Sequence, residues 1–111
     1  MIFDRFDTIV VPFPFAEMPI IKRRPVVVVS GRSFNAANGS TLVGMITTAK
    51  ESAWPSDIAI RDLETAGLRQ PCIIRMRLMT IPNDLILRSL GALGSFDRLA
   101  CERAVAEMVV G

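Results

Sequence analysis

Residues 22–31, KRRPVVVVSG, set three cations and a proline directly against the most apolar run in the chain. Consecutive valines suit a strand covered on both faces, because a strand with one wet face alternates apolar and polar side chains. Pro25 is tolerated at a strand start, where its missing N–H does least harm. It also biases Arg24 towards extended backbone, which fixes where the Arg24 side chain leaves the chain. A core strand that begins with three charges admits two readings. Either the cations are a solvated loop end, or the strand is a rigid mount that holds one of them at a working position.

Outward from this strand, the chain reads as short β segments joined by turns. Residues 6–13, FDTIVVPF, are β-branched and aromatic and end at prolines, as an opening strand does. Residues 14–22, PFAEMPIIK, form a loop whose apolar tip, Met18, Pro19, Ile20 and Ile21, is expected to pack on the body or on a partner. SFNAANGS, residues 33–40, supplies turn residues including an Asn-Gly pair, ahead of the strand TLVGMITT. KESAWPSD is a second loop, followed by a short strand from Asp57 to Arg61 and a turn that stops at Gly67. In CIIRMRLMTI, Ile74, Met76 and Leu78 point one way while Arg75 and Arg77 point the other. Asn83 and Asp84 open a short helix after Pro82, and LILRSLGAL is the last strand. Ser95 caps a final helix in which Cys101, Ala104, Val105 and Met108 have the spacing of a buried stripe. The expected fold is mainly β, a small, strongly bent antiparallel barrel of five or six strands plus one C-terminal helix, in a single domain over residues 1–111.

Composition removes several function classes. The sequence has 111 residues, half of them hydrophobic and 22% charged, which is a globular balance. Histidine is absent, so the usual neutral-pH base and the commonest metal ligand are missing, and no metal or other cofactor is expected. Cys72 and Cys101 lie in apolar surroundings without CxxC spacing and read as buried thiols of a reducing compartment. No opening segment resembles a signal peptide and no apolar run approaches the roughly 20 residues that span a bilayer, so a cytoplasmic protein without a membrane partner is expected. The net charge is only +2, yet it is unevenly spread. No acid falls between Met18 and Lys50, where Lys22, Arg23, Arg24 and Arg32 stand, or between Thr65 and Asn83, where Arg69, Arg75 and Arg77 stand. Brought together, these windows would make an electropositive face suited to phosphates.

Within those windows a few side chains are candidates for chemistry. The Arg24 fork matches phosphate oxygens in two-point contacts. Thr47 and Thr48 end a strand where a hydroxyl can donate to phosphate or orient a ribose, and both are also ordinary strand residues. Arg75 is a mid-strand charge with apolar neighbours, a costly place unless that face meets solvent or a ligand. Trp54 can stack on an unpaired base or pack over the barrel end, and Phe13 and Phe15 present the same choice.

The order DTIVVPFPF, KRRPVVVVS, VGMITTA, AGLRQPCIIRMRLMTI, LILRSLGAL resembles the MazF/PemK toxins of bacterial toxin–antitoxin systems over nearly the whole chain. The resemblance implies an SH3-like barrel of five to seven strands with a C-terminal helix, and a homodimer. It implies metal-independent, sequence-selective cleavage of single-stranded RNA, and a cognate antitoxin whose peptide blocks the RNA site, with DNA met only through the antitoxin complex. By position, Arg24, Thr47 and Arg75 match the family's catalytic residues. Lys22, Arg23, Thr48, Arg77 and Trp54 are then the expected RNA contacts, with base selectivity from loops 14–21 and 50–56. Two departures stand out. Phe6 replaces the glycine that precedes the family's aspartate, here Asp7, and Arg77 stands where some members carry an acid that serves as base. The general base therefore has no clear candidate, Glu17 being a remote one. Two other classes share the barrel: a CcdB-like toxin that binds DNA gyrase through its C-terminal helix, and an inactive barrel that only binds RNA or protein. An interaction toxin has no need of the Arg24–Thr47 pair.

Overall fold

The computed structural model describes residues 1–13, 22–50 and 53–111. Among these, six strands form one antiparallel sheet: β1 (Asp7–Phe13), β2 (Lys22–Val28), β3 (Ser40–Thr48), β4 (Ile58–Ala59), β5 (Cys72–Pro82) and β6 (Arg88–Ala92). Their order across the sheet is β4-β5-β3-β2-β1-β6. The sheet curls into a half-barrel, with register shifts between Thr8 and Ile9 and between Gly44 and Met45 that let the strands bend. Helix α1 (Arg32–Asn38) joins β2 to β3, a 3-10 turn covers Asn83–Leu85, and helix α2 (Ser95–Val110) closes the chain.

The valine run explains itself at the sheet centre. Val26 and Val28 enter a cluster with Ile9, Val11, Val43 and Ile81, while Val27 and Val29 enter a second with Ile46, Ile74 and Cys101. Both faces of β2 are thus dry, so alternation would have placed polar groups in a core. On β5 the expected facing holds: Ile74, Met76 and Leu78 pack in the cluster beneath α2, and Arg75, opposite Met45, lies on the other face. Both cysteines are buried free thiols, and burial pushes the Cys101 thiol up to about 11. No helix of the described residues is long and apolar enough to cross a membrane.

Three expectations need correction. Residues 33–40 do not form a simple turn, because α1 occupies most of them and stops at Gly39, which takes the left-handed conformation at φ +65°. Ser and Asn are weak helix formers, and the deciding force is tertiary. Buried Asn35 donates to the Phe3 and Ser30 carbonyls, and Asn83 donates to the Asn35 carbonyl. At the other helix, Gly94 rather than Ser95 is the N-cap, and no side chain caps that end. The buried stripe on α2 is also shorter than its spacing implies: Cys101 is buried, Ala104 and Val105 pack on the core, but Met108 is 44% exposed.

Phe6 resolves the first departure from the family pattern. It stands at φ +75°, the left-handed region that glycine occupies without penalty, so the backbone keeps a glycine-like turn and the side chain carries the strain. Its ring is buried in the core beneath α2, with the Arg5 and Arg98 guanidinium groups 4.7 and 5.2 Å from its centroid. Losing a buried phenylalanine costs about 3–5 kcal/mol, against about 1–2 kcal/mol of left-handed strain relieved. Phe6→Gly should therefore lower stability by about 2–3 kcal/mol in urea unfolding, the packing loss outweighing the relief.

A second fold prediction concerns Asp97. This buried α2 carboxylate accepts the Arg61 N–H at 3.0 Å and the Asp62 N–H at 2.9 Å, tying the segment after β4 to the helix. Asp97→Ala orphans both donors at about 1–3 kcal/mol each. A fall in Tm of about 10 °C or more is expected in thermal unfolding, with Asp97→Asn falling less.

Candidate nucleic-acid interface

The β2–β3 ladder runs through Val26–Met45, Val27–Gly44 and Val28–Val43. It goes no further towards Lys22, and Pro25 has no N–H with which to extend it. Beyond that point the strand ends part around a cleft of about 230 Å³, lined by Lys22, Arg23, Arg24, Thr47, Thr48 and Gln70 among others. No Asp or Glu is among the described residues that line it.

Continuing the β2–β3 register by two residues puts Arg24 opposite Thr47, both on the face that carries Val26 and Met45. Thr47 pairs with Ile73 and Met45 with Arg75 in the neighbouring ladder, so Arg75 is the diagonal neighbour of Thr47 on that same face. Diagonal pairs of this kind stand about 7–8 Å apart. Three adjacent strands therefore place Arg24 and Thr47 in one cross-strand row, with Arg75 on the diagonal beside Thr47 on the same face, in the row of Val26 and Met45. Arg24 is half-buried with its Nε shut off from solvent, Thr47 is 7% exposed, and Lys22 and Arg23 are exposed. The two acid-free windows do meet, since β2 and β3 come from the first and β5 from the second.

Arg75 answers its costly position with a partner that the sequence did not announce. Its Nε and Nη2 donate to the two Asp57 carboxylate oxygens at 3.0 and 2.8 Å, with both side chains less than a tenth exposed. Asp57 accepts the Trp54 N–H at 2.8 Å as well, and the Trp54 ring lies 5.2 Å from the Arg75 guanidinium. Trp54 remains 43% exposed, so it leans on Arg75 and leaves much of its surface to solvent. The one available signal for Asp57 was WPSD itself, with proline at the second position of a turn closed by the Asp57 N–H on the Trp54 carbonyl. Arg77 is half-buried on β5 and lines none of this cleft. Glu17, Phe15, the Met18–Ile21 tip and the Phe13 side chain lie outside the described residues, so the expectations for them have no structural counterpart here.

The Arg75 hydrogen bonds hold the Asp57 carboxyl below its ordinary value of 3.8, burial opposing and the Trp54 N–H assisting. Because the folded value is the lower one, the pair's contribution is complete above the unfolded value and is lost as pH falls through the folded one. Asp57→Ala removes one partner of a buried pair and should lower stability by about 3 kcal/mol at pH 7. In urea unfolding across pH, the gap between wild type and variant should stay level from neutral pH to about pH 5 and narrow below about pH 4.

A search of curated proteins found no match to the chain. Solved structures do match in fold. MazF from Deinococcus radiodurans aligns with TM-score 0.78 at 12% identity, over 100% of this chain and 99% of that one. An endoribonuclease in complex with its cognate antitoxin, from a mycobacterial species, aligns with TM-score 0.75 at 14% identity, covering 96% and 94%. The Mycobacterium tuberculosis toxin MazF-mt6 gives 0.72 at 19% identity, covering 91% and 93%. At such identities the likeness speaks for the fold: a curled antiparallel sheet with a C-terminal helix, as in MazF. The family described as PemK-like, MazF-like toxin of type II toxin–antitoxin systems matches residues 4–109, and this chain belongs to that family.

Proposed function

We propose that the protein is a metal-independent endoribonuclease that cuts single-stranded RNA and thereby inhibits translation and growth, and that a cognate antitoxin holds it in check. The observation that supports this best is the Arg24–Thr47 pair across β2 and β3, with Arg75 on the diagonal of the same face, beside a cleft lined by cations and hydroxyls with no carboxylate among the described residues. Such a site suits a phosphodiester.

The reaction that fits is attack of a ribose 2′-hydroxyl on its own adjacent phosphate. The 2′-hydroxyl gives up its proton as the new 2′-O–P bond forms and the bond to the 5′-oxygen breaks, and that departing oxygen takes up a proton, leaving a 2′,3′-cyclic phosphate and a 5′-hydroxyl. The nucleophile is already tethered beside phosphorus, so positioning supplies much of the acceleration. Charge grows on the phosphate oxygens, where the Arg24 fork and the Thr47 hydroxyl stabilise it. Arg75 adds a positive group on the diagonal of the same face, its orientation set by Asp57. Arginines stay protonated at ordinary pH, so Arg24 and Arg75 act through charge. Asp57 is a poor base, with both oxygens engaged and its carboxyl held low. Lys22, Arg23, Thr48 and Arg77 bind the flanking backbone, and Trp54 offers a half-open ring for a base. The active unit in this reading is a cytoplasmic homodimer, whose DNA contact runs through the antitoxin complex alone.

The test incubates purified protein with mixed single-stranded RNA in EDTA and maps the cut ends. Cleavage leaving cyclic phosphates, abolished in Arg24→Ala with an unchanged circular dichroism spectrum, supports the reading. Intact RNA together with arrested DNA gyrase sinks it. The cations should also separate: Arg24→Ala is expected to lower kcat by about 10²–10³. Arg23→Ala should mainly weaken binding and reduce its salt slope by about 0.7. Equal behaviour of the two variants would return KRRP to the status of a solvated loop end.

A further inference from the structure

A cavity of about 710 Å³ adjoins the Arg24–Thr47 cleft and shares Arg23, Pro25, Gln70 and Cys72 with it. Its charged lining among the described residues is Arg23, Arg69 and Arg88, with no Asp or Glu. Among the described residues none of the three lies within ion-pair distance of a carboxylate. They reach this place from different parts of the chain. Arg88 pairs with Val10, and Val10 with Pro25, so β6, β1 and β2 carry Arg88 and Pro25 on one face, the face that also presents Arg23.

Arg69 comes from the turn before β5, and that turn is tightly fixed. Gly67 stands at φ +72°, and a Cβ there would lie 2.3 Å from the Leu90 carbonyl oxygen, so the turn rests directly on β6. The Ala92 N–H donates to the Thr65 carbonyl at 3.1 Å, and the Thr8 hydroxyl to the Ala66 carbonyl at 2.8 Å, with Ala66 fully buried. Three like charges gathered on fixed elements, with no counter-charge among the described residues, repel one another in the free protein, and a polyanion offsets that repulsion. Leu68, Leu87 and Leu90 form an apolar wall beside them. Phosphate for the cations and a base for the wall are the two halves of a nucleotide.

We propose that this groove is a second binding subsite, in which Arg69 and Arg88 hold the sugar–phosphate backbone of single-stranded RNA beyond the nucleotide seated in the Arg24–Thr47 cleft, with Arg23 bridging the two. The inference rests on the ribonuclease reading above. It places two residues, one on a turn and one on the last strand, in the substrate path.

The experiment measures binding of 2′-O-methyl oligoribonucleotides of increasing length by fluorescence anisotropy, across salt concentrations. These probes lack the nucleophile, so binding is read apart from cleavage, and cleavage of ordinary RNA in EDTA is followed in parallel. Both side chains are exposed, so the doubly substituted variant Arg69→Gln, Arg88→Gln should unfold at the wild-type temperature. In that variant the slope of log K against log salt should shrink by about 1.4, at about 0.7 per lost phosphate contact. The affinity gained by adding nucleotides outside the cleft should be lost with it. A control pair on α2, Arg98→Gln with Arg103→Gln, removes the same net charge and should leave both quantities near wild type. Wild-type slope and length dependence in the groove variant, with RNA still cleaved by the parent, overturns the subsite and leaves the ribonuclease reading standing. Tight binding of poly-glutamate that depends on Arg69 and Arg88, with no RNA binding by the parent, overturns it in favour of an acidic peptide. Failure of the parent to cleave RNA is scored separately, against the ribonuclease reading.

Discussion

Burial of β2 on both faces is the constraint on which the rest of the structure depends. A strand flanked by β1 and β3, with a core above and a core below, can carry no charge along its covered length. Charge can enter only where the cover ends, and Pro25 marks that boundary by withholding a donor from the ladder. The same residue that stops the pairing opens the cleft, and the side chain immediately before it, Arg24, is the first cation the sheet can present. The stiffness of that presentation comes from the valines, since a strand anchored at four successive buried positions has little freedom to tilt.

Arg24 and Arg75 solve the problem of a charge at the sheet in different ways. Arg75 sits deeper, within the covered part of β5, and a charge there requires a counter-charge with good geometry. Asp57 supplies it through two hydrogen bonds, and the turn that carries Asp57 brings Trp54 along. Arg24 lies at the rim and lines the cleft itself. Two arginines that look equivalent in the sequence thus differ in the donors they leave available, because Asp57 already occupies one edge of the Arg75 fork.

The sheet was legible because its signals are strong: an unbroken apolar run where both faces are covered, and alternation on β5; Pro25, expected at a strand start, lies inside β2, which begins at Lys22. The elements that escaped are those decided by tertiary contacts. Helix α1 has a turn-like sequence and exists because Asn35 is hydrogen-bonded in the interior to Phe3 and Ser30. Gly94 begins α2 in place of the serine beside it, and Met108 falls off the end of the buried stripe because the helix outruns the core. In the site, Arg24, Thr47 and Thr48 could be read from strand ends, and the register brings them together. Asp57 could not, since a carboxylate 18 positions before Arg75 gives no hint of pairing until β4 is laid against β5.

A net charge of +2 hides this organisation, since it is a small difference between 13 cations and 11 acids. Many of the acids are committed to local structure. Asp4 and Asp62 accept backbone N–H groups in turns, Asp97 ties the post-β4 segment to α2, and Glu102 stands 3.9 Å from Arg5. With carboxylates spent on turns and on the helix side, the cations around Arg23 keep their field. At short range in a groove with apolar walls, three arginines with no counter-charge among the described residues outweigh a near-neutral total, because screening over about 10 Å removes the distant acids first. Segregation of charge across one small sheet concentrates the cations where Pro25 has already parted the strands.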